Sequence, residues 1–151
     1  MKFLAVFFGP DSNSKKTDFA LLVLRLWLGL TLFVNHGVAK LANFNEMSGK
    51  FPDVVGIGSA ASLSLAVFAE VFCSALVMFG LVTRLAALNI AITLLVAFGK
   101  VHHWKLTGEH SGELAFIYLA GYVALMIAGP GRVSVDGALF SKSSKPVKSA
   151  T

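Results

Sequence analysis

The sequence consists of long apolar runs separated by shorter polar segments. Four runs stand out, at Phe19 to His36, Ala60 to Val82, Leu85 to His102 and Glu113 to Ala128. Each approaches the ~20 residues that an α-helix needs to cross about 30 Å of hydrocarbon. The pattern therefore predicts an all-α, polytopic membrane protein, in which four transmembrane helices form an antiparallel bundle.

The ends of these runs divide the chain into three parts. Residues 1–17 begin with "MKFLAVFF", which is basic and apolar but too short to span a bilayer, and predict an N-terminal interfacial segment. Residues 18–140 form the predicted four-helix membrane domain. Residues 141–151, "SKSSKPVKSAT", are polar and basic and predict a disordered tail.

Composition supports a membrane protein and excludes other classes. Of the 151 residues, 56% are hydrophobic and 14% are charged, and the mean hydropathy is +0.74. The net charge of +5 is not gathered into a basic stripe with interleaved aromatics, so we expect the lipid bilayer and no nucleic acid as a partner. Cys73 is the single cysteine, which excludes an internal disulfide, a C-x-x-C redox pair and a multi-cysteine metal cluster.

Lysine and arginine are distributed unevenly between the two sides of the predicted bundle. The side with both termini holds Lys2, Lys15, Lys16, Arg84, Arg132, Lys142, Lys145 and Lys148; the other side holds Lys40, Lys50, Lys100 and Lys105. Since positive charge is enriched on the cytoplasmic side, this predicts a multi-pass protein of the bacterial inner membrane with both termini in the cytoplasm. The stretch "VNHGVAK" then faces outward.

Two ionisable residues lie well inside the predicted spans. Arg25 is in the first span and Glu70 is near the middle of the second. A charge at such a depth costs at least ~2.5 kcal/mol unless it is paired or hydrated, so we expect Arg25 and Glu70 to form an intramembrane ion pair. Two interpretations stay open at this point: the pair fixes the register of the helices, or Glu70 handles protons or faces a substrate.

Further polar residues gather toward the outer ends of the spans. At 100° per residue, His36 and Lys40 share one face of the first helix with Arg25. With residues near the third and fourth spans they define a candidate ligand pocket of His36, Lys40, Glu70, Lys100, His102, His103 and Glu113. Each of these residues also has a structural explanation, such as a lysine reaching the headgroups, so only their convergence favours a site.

Three chemistries fit such a pocket to different degrees. A quinone or a small anion would use Lys and His as hydrogen-bond donors and Glu as a proton acceptor, which this set satisfies. A haem held by two histidines is the weaker alternative. The histidines lie on a common side of the membrane, but the sequence has no further haem signature. No metal is assigned, since neighbouring His102 and His103 point about 100° apart on a helix. The cofactor and the catalytic residues remain unassigned.

Four blocks of sequence, in order, resemble the DoxX family of small four-helix bacterial membrane proteins, over roughly Phe19 to Phe140. The blocks are "LRLWLGLTLFVNHGVAKL", "AEVFCSALVMFGLVTRLAAL", "VAFGKVHHW" and "GELAFIYLAGYVALMIAGPGRVSVD". The matching positions are Arg25, Gly29, His36, Gly37, Lys40, Glu70, Gly80, Thr83, Arg84, His102, Glu113, Gly129, Pro130, Gly131, Ser134 and Asp136.

The resemblance implies a link to membrane redox work. DoxX-type proteins include part of an archaeal thiosulfate:quinone oxidoreductase and partners of soluble redox enzymes in oxidative-stress defence. The leading hypothesis is a small subunit or partner of a quinone-linked membrane redox system, with a polar pocket that opens outward between the first three helices. The alternative is a non-catalytic scaffold that anchors a partner protein. A homo-oligomer fits either hypothesis, and enzymatic activity is undecided because the chain has no self-contained catalytic motif.

Overall fold

The computed structural model describes residues 14–54 and 56–140, which fold into helices and their connections with no strand among them. The helices are α1 (Lys15–Ala42), α2 (Phe44–Met47), α3 (Ser59–Phe79), α4 (Thr83–Val101), α5 (Glu113–Ala128) and α6 (Val135–Phe140). Within the described ranges, α1, α3 and α4 are apolar and long enough to cross a membrane, whereas α5 has 16 residues. The prediction of an all-helical membrane protein is confirmed, and the fourth crossing stays a prediction.

The four long helices pack antiparallel around one apolar core. Helix α1 packs against α3 and α5, and α4 packs against the other faces of α3 and α5. Core residues include Leu32, Val77, Ile90, Tyr122 and Leu125, which are almost fully buried. We call the end of the bundle with residues 80–82 and 129–134 the turn end, and the end with residues 43–58 and 102–112 the loop end.

Small residues bring α1 and α3 close together. A side chain added at Gly37 would meet the backbone oxygen of Glu70 at 2.8 Å, and one at Gly29 would meet Met78. On α3, Ala69 and Cys73 are buried in the core. Since lipid tails are as apolar as the helices, such close backbone packing is a main source of helix association in a bilayer.

The turn between α3 and α4 is fixed by a residue from much later in the chain. Gly80 adopts φ +70°, and the N–H groups of Gly80 and Leu81 bond back to Val77 and Leu76, which ends α3 in a Schellman motif. Helix α4 starts without a capping side chain of its own. Instead, the Asp136 carboxylate accepts hydrogen bonds from the N–H groups of Val82 (2.8 Å) and Thr83 (2.9 Å).

Two predicted boundaries differ from the structure. The first helix extends from Lys15 to Ala42, so residues 15–17 belong to α1 rather than to a separate interfacial segment. It also continues past His36 to Ala42, through Gly37, which is buried against α3, and through "VAKLA", which contains no helix breaker. The rest of the predicted N-terminal segment, residues 1–13, and the predicted tail 141–151 lie outside the described residues.

Each of the three long apolar helices contains one π-helical turn. The turns are Phe33–Gly37 in α1, Phe68–Cys73 in α3 and Ala97–Val101 in α4. A π-helical turn shifts the hydrogen bonds from i→i+4 to i→i+5 and is frequent at functional sites. Each turn carries a predicted pocket residue: His36, Glu70 and Lys100, respectively.

Candidate functional site: a cavity inside the helix bundle

A cavity of about 470 Å³ lies in the loop-end half of the bundle. Its wall is built by all four long helices and by the connection between α2 and α3, which we call the lid loop (residues 48–54 and 56–58). Most of the lining side chains are apolar. The polar ones are His36, Lys40, Ser62, Glu70, Thr93, His102, Ser111 and Tyr118. A mainly apolar cavity with a few polar groups is the usual form of a small-molecule site.

An ion pair between Lys40 and Glu70 provides the charge in the cavity wall. Lys40 Nζ lies 2.6 Å from Glu70 Oε2, and the two side chains are 20% and 12% exposed. Lys40 lies one turn after His36 on α1, and Glu70 lies in the π-helical turn of α3. A pair with so little exposure is screened weakly by water, so its charges act strongly on a group placed in the cavity.

Two imidazoles line the same cavity from α1 and from the end of α4. The ring of His36 packs edge to face against Tyr118 of α5, with centroids 6.1 Å apart. His102 Nδ1 lies 2.9 Å from the backbone oxygen of His110. Because a carbonyl oxygen only accepts hydrogen bonds, Nδ1 is the protonated nitrogen, which leaves Nε2 of His102 available to another group.

The lid loop covers the cavity at the loop end. Phe51, Pro52 and Val54 line the cavity, and the exposed Asp53 between them organises the backbone. Its carboxylate also accepts a hydrogen bond from the hydroxyl of Ser62, a lining residue, at 3.1 Å. The Asp53 carboxylate accepts hydrogen bonds from the N–H groups of Gly56 (2.9 Å), Ile57 (3.0 Å) and Gly58 (2.9 Å). These bonds, that of Gly58 first, hold the pKa of Asp53 below its ordinary value of 3.8.

The predicted ion pair between Arg25 and Glu70 was wrong in its partners. Glu70 pairs with Lys40, and the fully buried Arg25 donates hydrogen bonds to the backbone oxygens of Val77 (3.4 Å), Met78 (3.2 Å) and Val133. The reason is the register of the antiparallel helices. Arg25 is level with Val77, which lies seven residues from Glu70, or about 10 Å at 1.5 Å per residue.

Of the seven predicted pocket residues, the structure brings together His36, Lys40, Glu70 and His102. Lys100, His103 and Glu113 are exposed and do not line the cavity. The π-helical turn at the end of α4 rotates Lys100 away from the face that an ordinary helix would give it. His103 follows the end of α4 and has φ +50°, so the helical periodicity does not apply to it.

Several lining residues were missed by the sequence analysis. Tyr118 recurs with Tyr122 and Leu125 on the buried face of α5, so the helical period contained a signal for it. Ser62 is one of several serines in α3, and Thr93 is a polar residue in the apolar helix α4, so the signal for these two was weaker. Phe51 and its neighbours in the lid loop had none, because the path of a long connection is not encoded in a periodic pattern.

Within residues 14–54 and 56–140, no group of three or more His, Cys, Asp or Glu side chains is arranged to hold a metal ion.

The apolar helices, their antiparallel packing and their shared core define an α-helical integral membrane protein. The family model DoxX matches residues 20–103, more than half of the chain, and the chain belongs to the DoxX family. The chain is 27% identical over 140 residues to Rv3486, an uncharacterised membrane protein of Mycobacterium tuberculosis. The matched region covers 82% of this chain and 83% of that protein. No solved structure matches the chain.

Proposed function

We propose that the protein binds a lipid-soluble small molecule with a hydrogen-bonding head, such as a quinone, in the cavity. The observation that carries the proposal is an ion pair in the wall of a mainly apolar cavity. The volume of about 470 Å³ falls within the ~300–1,000 Å³ of known small-molecule sites. The apolar wall suits the ring or chain of such a molecule, and the few polar groups suit its hydrogen-bonding head.

The polar groups match the chemistry of a quinone. Quinone carbonyls accept hydrogen bonds, which the Lys40 ammonium would donate. A quinol instead donates its hydroxyl protons, for which the Glu70 carboxylate and the unprotonated Nε2 of His102 are the acceptors in the cavity wall. Both redox forms therefore find partners among these three side chains.

The electrons for such chemistry would come from elsewhere. With a single cysteine, the chain has no dithiol of its own to oxidise. We therefore assign the protein the role of a small, quinone-linked partner of a membrane redox system rather than that of a complete oxidoreductase. Its proposed location is the bacterial inner membrane.

Titration of the purified protein with ubiquinone-1, a short-chain quinone, tests the proposal. Lys40→Gln and Glu70→Gln each remove a charged hydrogen-bonding partner, a contribution of ~1.5–3 kcal/mol, so we expect binding to weaken by roughly tenfold or more. Lys100→Gln and Glu113→Gln are the matched controls, because both residues are exposed outside the cavity. Circular dichroism checks that each variant retains its helices.

The outcomes separate the candidate functions. Weaker binding in the cavity variants alone supports the quinone site. If folded wild-type protein does not bind ubiquinone-1, or if all four variants bind it equally well, the proposal is wrong. The non-catalytic scaffold then becomes the preferred function, with Lys40 and Glu70 serving only to join α1 to α3.

A further inference from the structure

The lateral wall of the cavity is less closed than its cover at the loop end. At the loop end, the apolar side chains of Phe51, Pro52 and Val54 cover it. Laterally, the lining includes Leu65 of α3 and Ile92 of α4, which are also 55% and 54% exposed on the outer surface of the bundle. Leu114 and Val101 also line the cavity and are 53% and 42% exposed, but they lie at the loop-end termini of α5 and α4. Leu65 and Ile92 lie deeper along their helices, so these two residues mark a gap in the lateral wall.

The position of this gap follows from the two helices that carry its residues. Leu65 lies on α3 and Ile92 lies on α4, and these two helices pack against each other. Val96 follows Ile92 by about one turn within the α-helical part of α4, so it shares the face of Ile92, and it also lines the cavity. The gap thus lies between α3 and α4.

The depth of the gap places it in hydrocarbon. Leu65 is six residues, or about 9 Å, from the loop-end start of α3 at Ser59, and Ile92 is nine residues from the end of α4, or about 14 Å. Both values lie within the ~30 Å of a bilayer core. A ligand in the gap would therefore contact lipid tails rather than water.

The walls of the gap suit an apolar chain. Ala66 of α3 and Ala97 of α4 also line the cavity, and the side chain of each is a single methyl group. Thr93 is the polar residue next to Ile92, and its hydroxyl donates to the backbone oxygen of Asn89 at 3.1 Å, within its own helix. A chain that passes through the gap thus meets no unsatisfied donor from Thr93.

From these observations we infer that the gap between α3 and α4 is a lateral portal, through which the ligand enters from the bilayer. Its ligand is an amphiphile whose head reaches Lys40 and Glu70, while a long isoprenoid or acyl chain extends between Leu65 and Ile92 into the lipid. The inference rests on the proposed function and adds the ligand class, a tailed molecule delivered by the membrane.

A portal-blocking variant tests this inference in phosphatidylcholine nanodiscs. Ile92→Trp places a bulky side chain in the gap, and Leu95→Trp is the matched control, because Leu95 is exposed on the same helix and does not line the cavity. Two probes are compared: ubiquinone-10, whose long chain needs the gap, and ubiquinone-1, whose short chain fits inside the cavity. Leu65→Trp repeats the test from the other wall.

We expect Ile92→Trp and Leu65→Trp to reduce ubiquinone-10 binding by at least roughly tenfold, a loss of ~1.4 kcal/mol. Ubiquinone-1 binding should fall markedly less than ubiquinone-10 binding, because its short chain does not need the gap, and Leu95→Trp should change neither probe. The portal is wrong if the blocked variants bind ubiquinone-10 normally, or if they lose both probes equally. Failure of the proposed function itself is distinguishable, because wild-type protein would then bind neither probe.

Discussion

At the scale of single residues, the structure separates two kinds of buried charge. Arg25 is fully buried and held by backbone oxygens of α3 and of the segment after α5, with the Asp136 carboxylate near enough to attract it. Two of these oxygens belong to the last turn of α3, where the negative end of the helix dipole favours a cation. Arg25 therefore joins three segments at the turn end, whereas Lys40 and Glu70 lie in the cavity wall.

Double-mutant cycles distinguish these roles. Lys40→Met and Glu70→Met should show a coupling energy of about 0.5–3 kcal/mol in unfolding, because the two side chains are in contact. Arg25→Met and Glu70→Met should be additive within about 0.5 kcal/mol, because they touch different groups. The measurement is chemical unfolding in detergent micelles. Coupling of Arg25 to Glu70 as strong as that of Lys40 would contradict the pairing seen in the structure.

The sequence predicted which residues are charged and buried, but not how they pair. Charge in an apolar run predicts that Arg25 and Glu70 need partners. The choice of partner depends on the relative height of α1 and α3, and a shift of two turns replaces one pairing by another. That height is set by the close contacts of Gly29 and Gly37 with α3, which hydrophobicity alone does not reveal.

At the scale of elements, helix ends and turns depend on distant side chains. Asp136 caps α4 although 53 positions separate it from Thr83, so the turn end is stable only when the segment after α5 is in place. The π-helical turns lie in the loop-end half of the bundle, where they change which residues face the cavity. In α4, a helical wheel of 100° per residue assigns faces correctly as far as Val96. It fails in the π-helical turn that begins at Ala97.

Removal of the cap should weaken the turn end. Asp136→Ala leaves the N–H groups of Val82 and Thr83 without their acceptor. Because loss of an N-cap typically lowers the free energy of unfolding by ~0.5–2 kcal/mol, we expect a change of that size. We expect a lower melting temperature and faster hydrogen exchange at these two amides. Glu109→Ala, which removes an exposed carboxylate of the loop end, serves as the control. Equal exchange in both variants would show that Asp136 does not cap α4.

The lid loop should loosen in acid. The folded pKa of Asp53 lies below the ordinary 3.8, chiefly because the N–H of Gly58 bonds to its carboxylate. Stabilisation of the loop is therefore complete above pH 3.8 and disappears as the pH falls below it, through the folded pKa. We expect hydrogen exchange at Gly56, Ile57 and Gly58 to show extra acceleration in this range, and Asp53→Asn to remove it. An unchanged pH profile in that variant would contradict the role of Asp53.

At the scale of the whole molecule, hydrophobicity was sufficient for the architecture. Four apolar runs predicted four helices, and the structure places all four around one core. The cavity was beyond such a prediction, since its position depends on the lid loop and on small residues such as Ala66 that leave space unfilled. Apolar patterns predict which residues face inward but not where packing is incomplete.

Cysteine labelling in cells tests the membrane topology. In a Cys73→Ala background, Asn45→Cys and Glu109→Cys lie at the loop end and Arg132→Cys lies at the turn end; all three positions are exposed. If four helices cross with both termini in the cytoplasm, an impermeant maleimide should label the first two in intact spheroplasts. It should label position 132 only after the membrane is opened. Labelling of Asn45 and Glu109 on opposite sides would exclude four crossings.

The most direct test of the central claim is mass spectrometry of the molecules extracted from protein purified in nanodiscs, with an absorption spectrum of the same sample. The account predicts a tailed, hydrogen-bonding amphiphile at about one per chain. Ala66→Phe, which fills the cavity, should lose it, whereas Ala124→Phe on the exposed side of α5 should keep it. A haem absorption band, or an amphiphile retained equally by both variants, would contradict the proposed site.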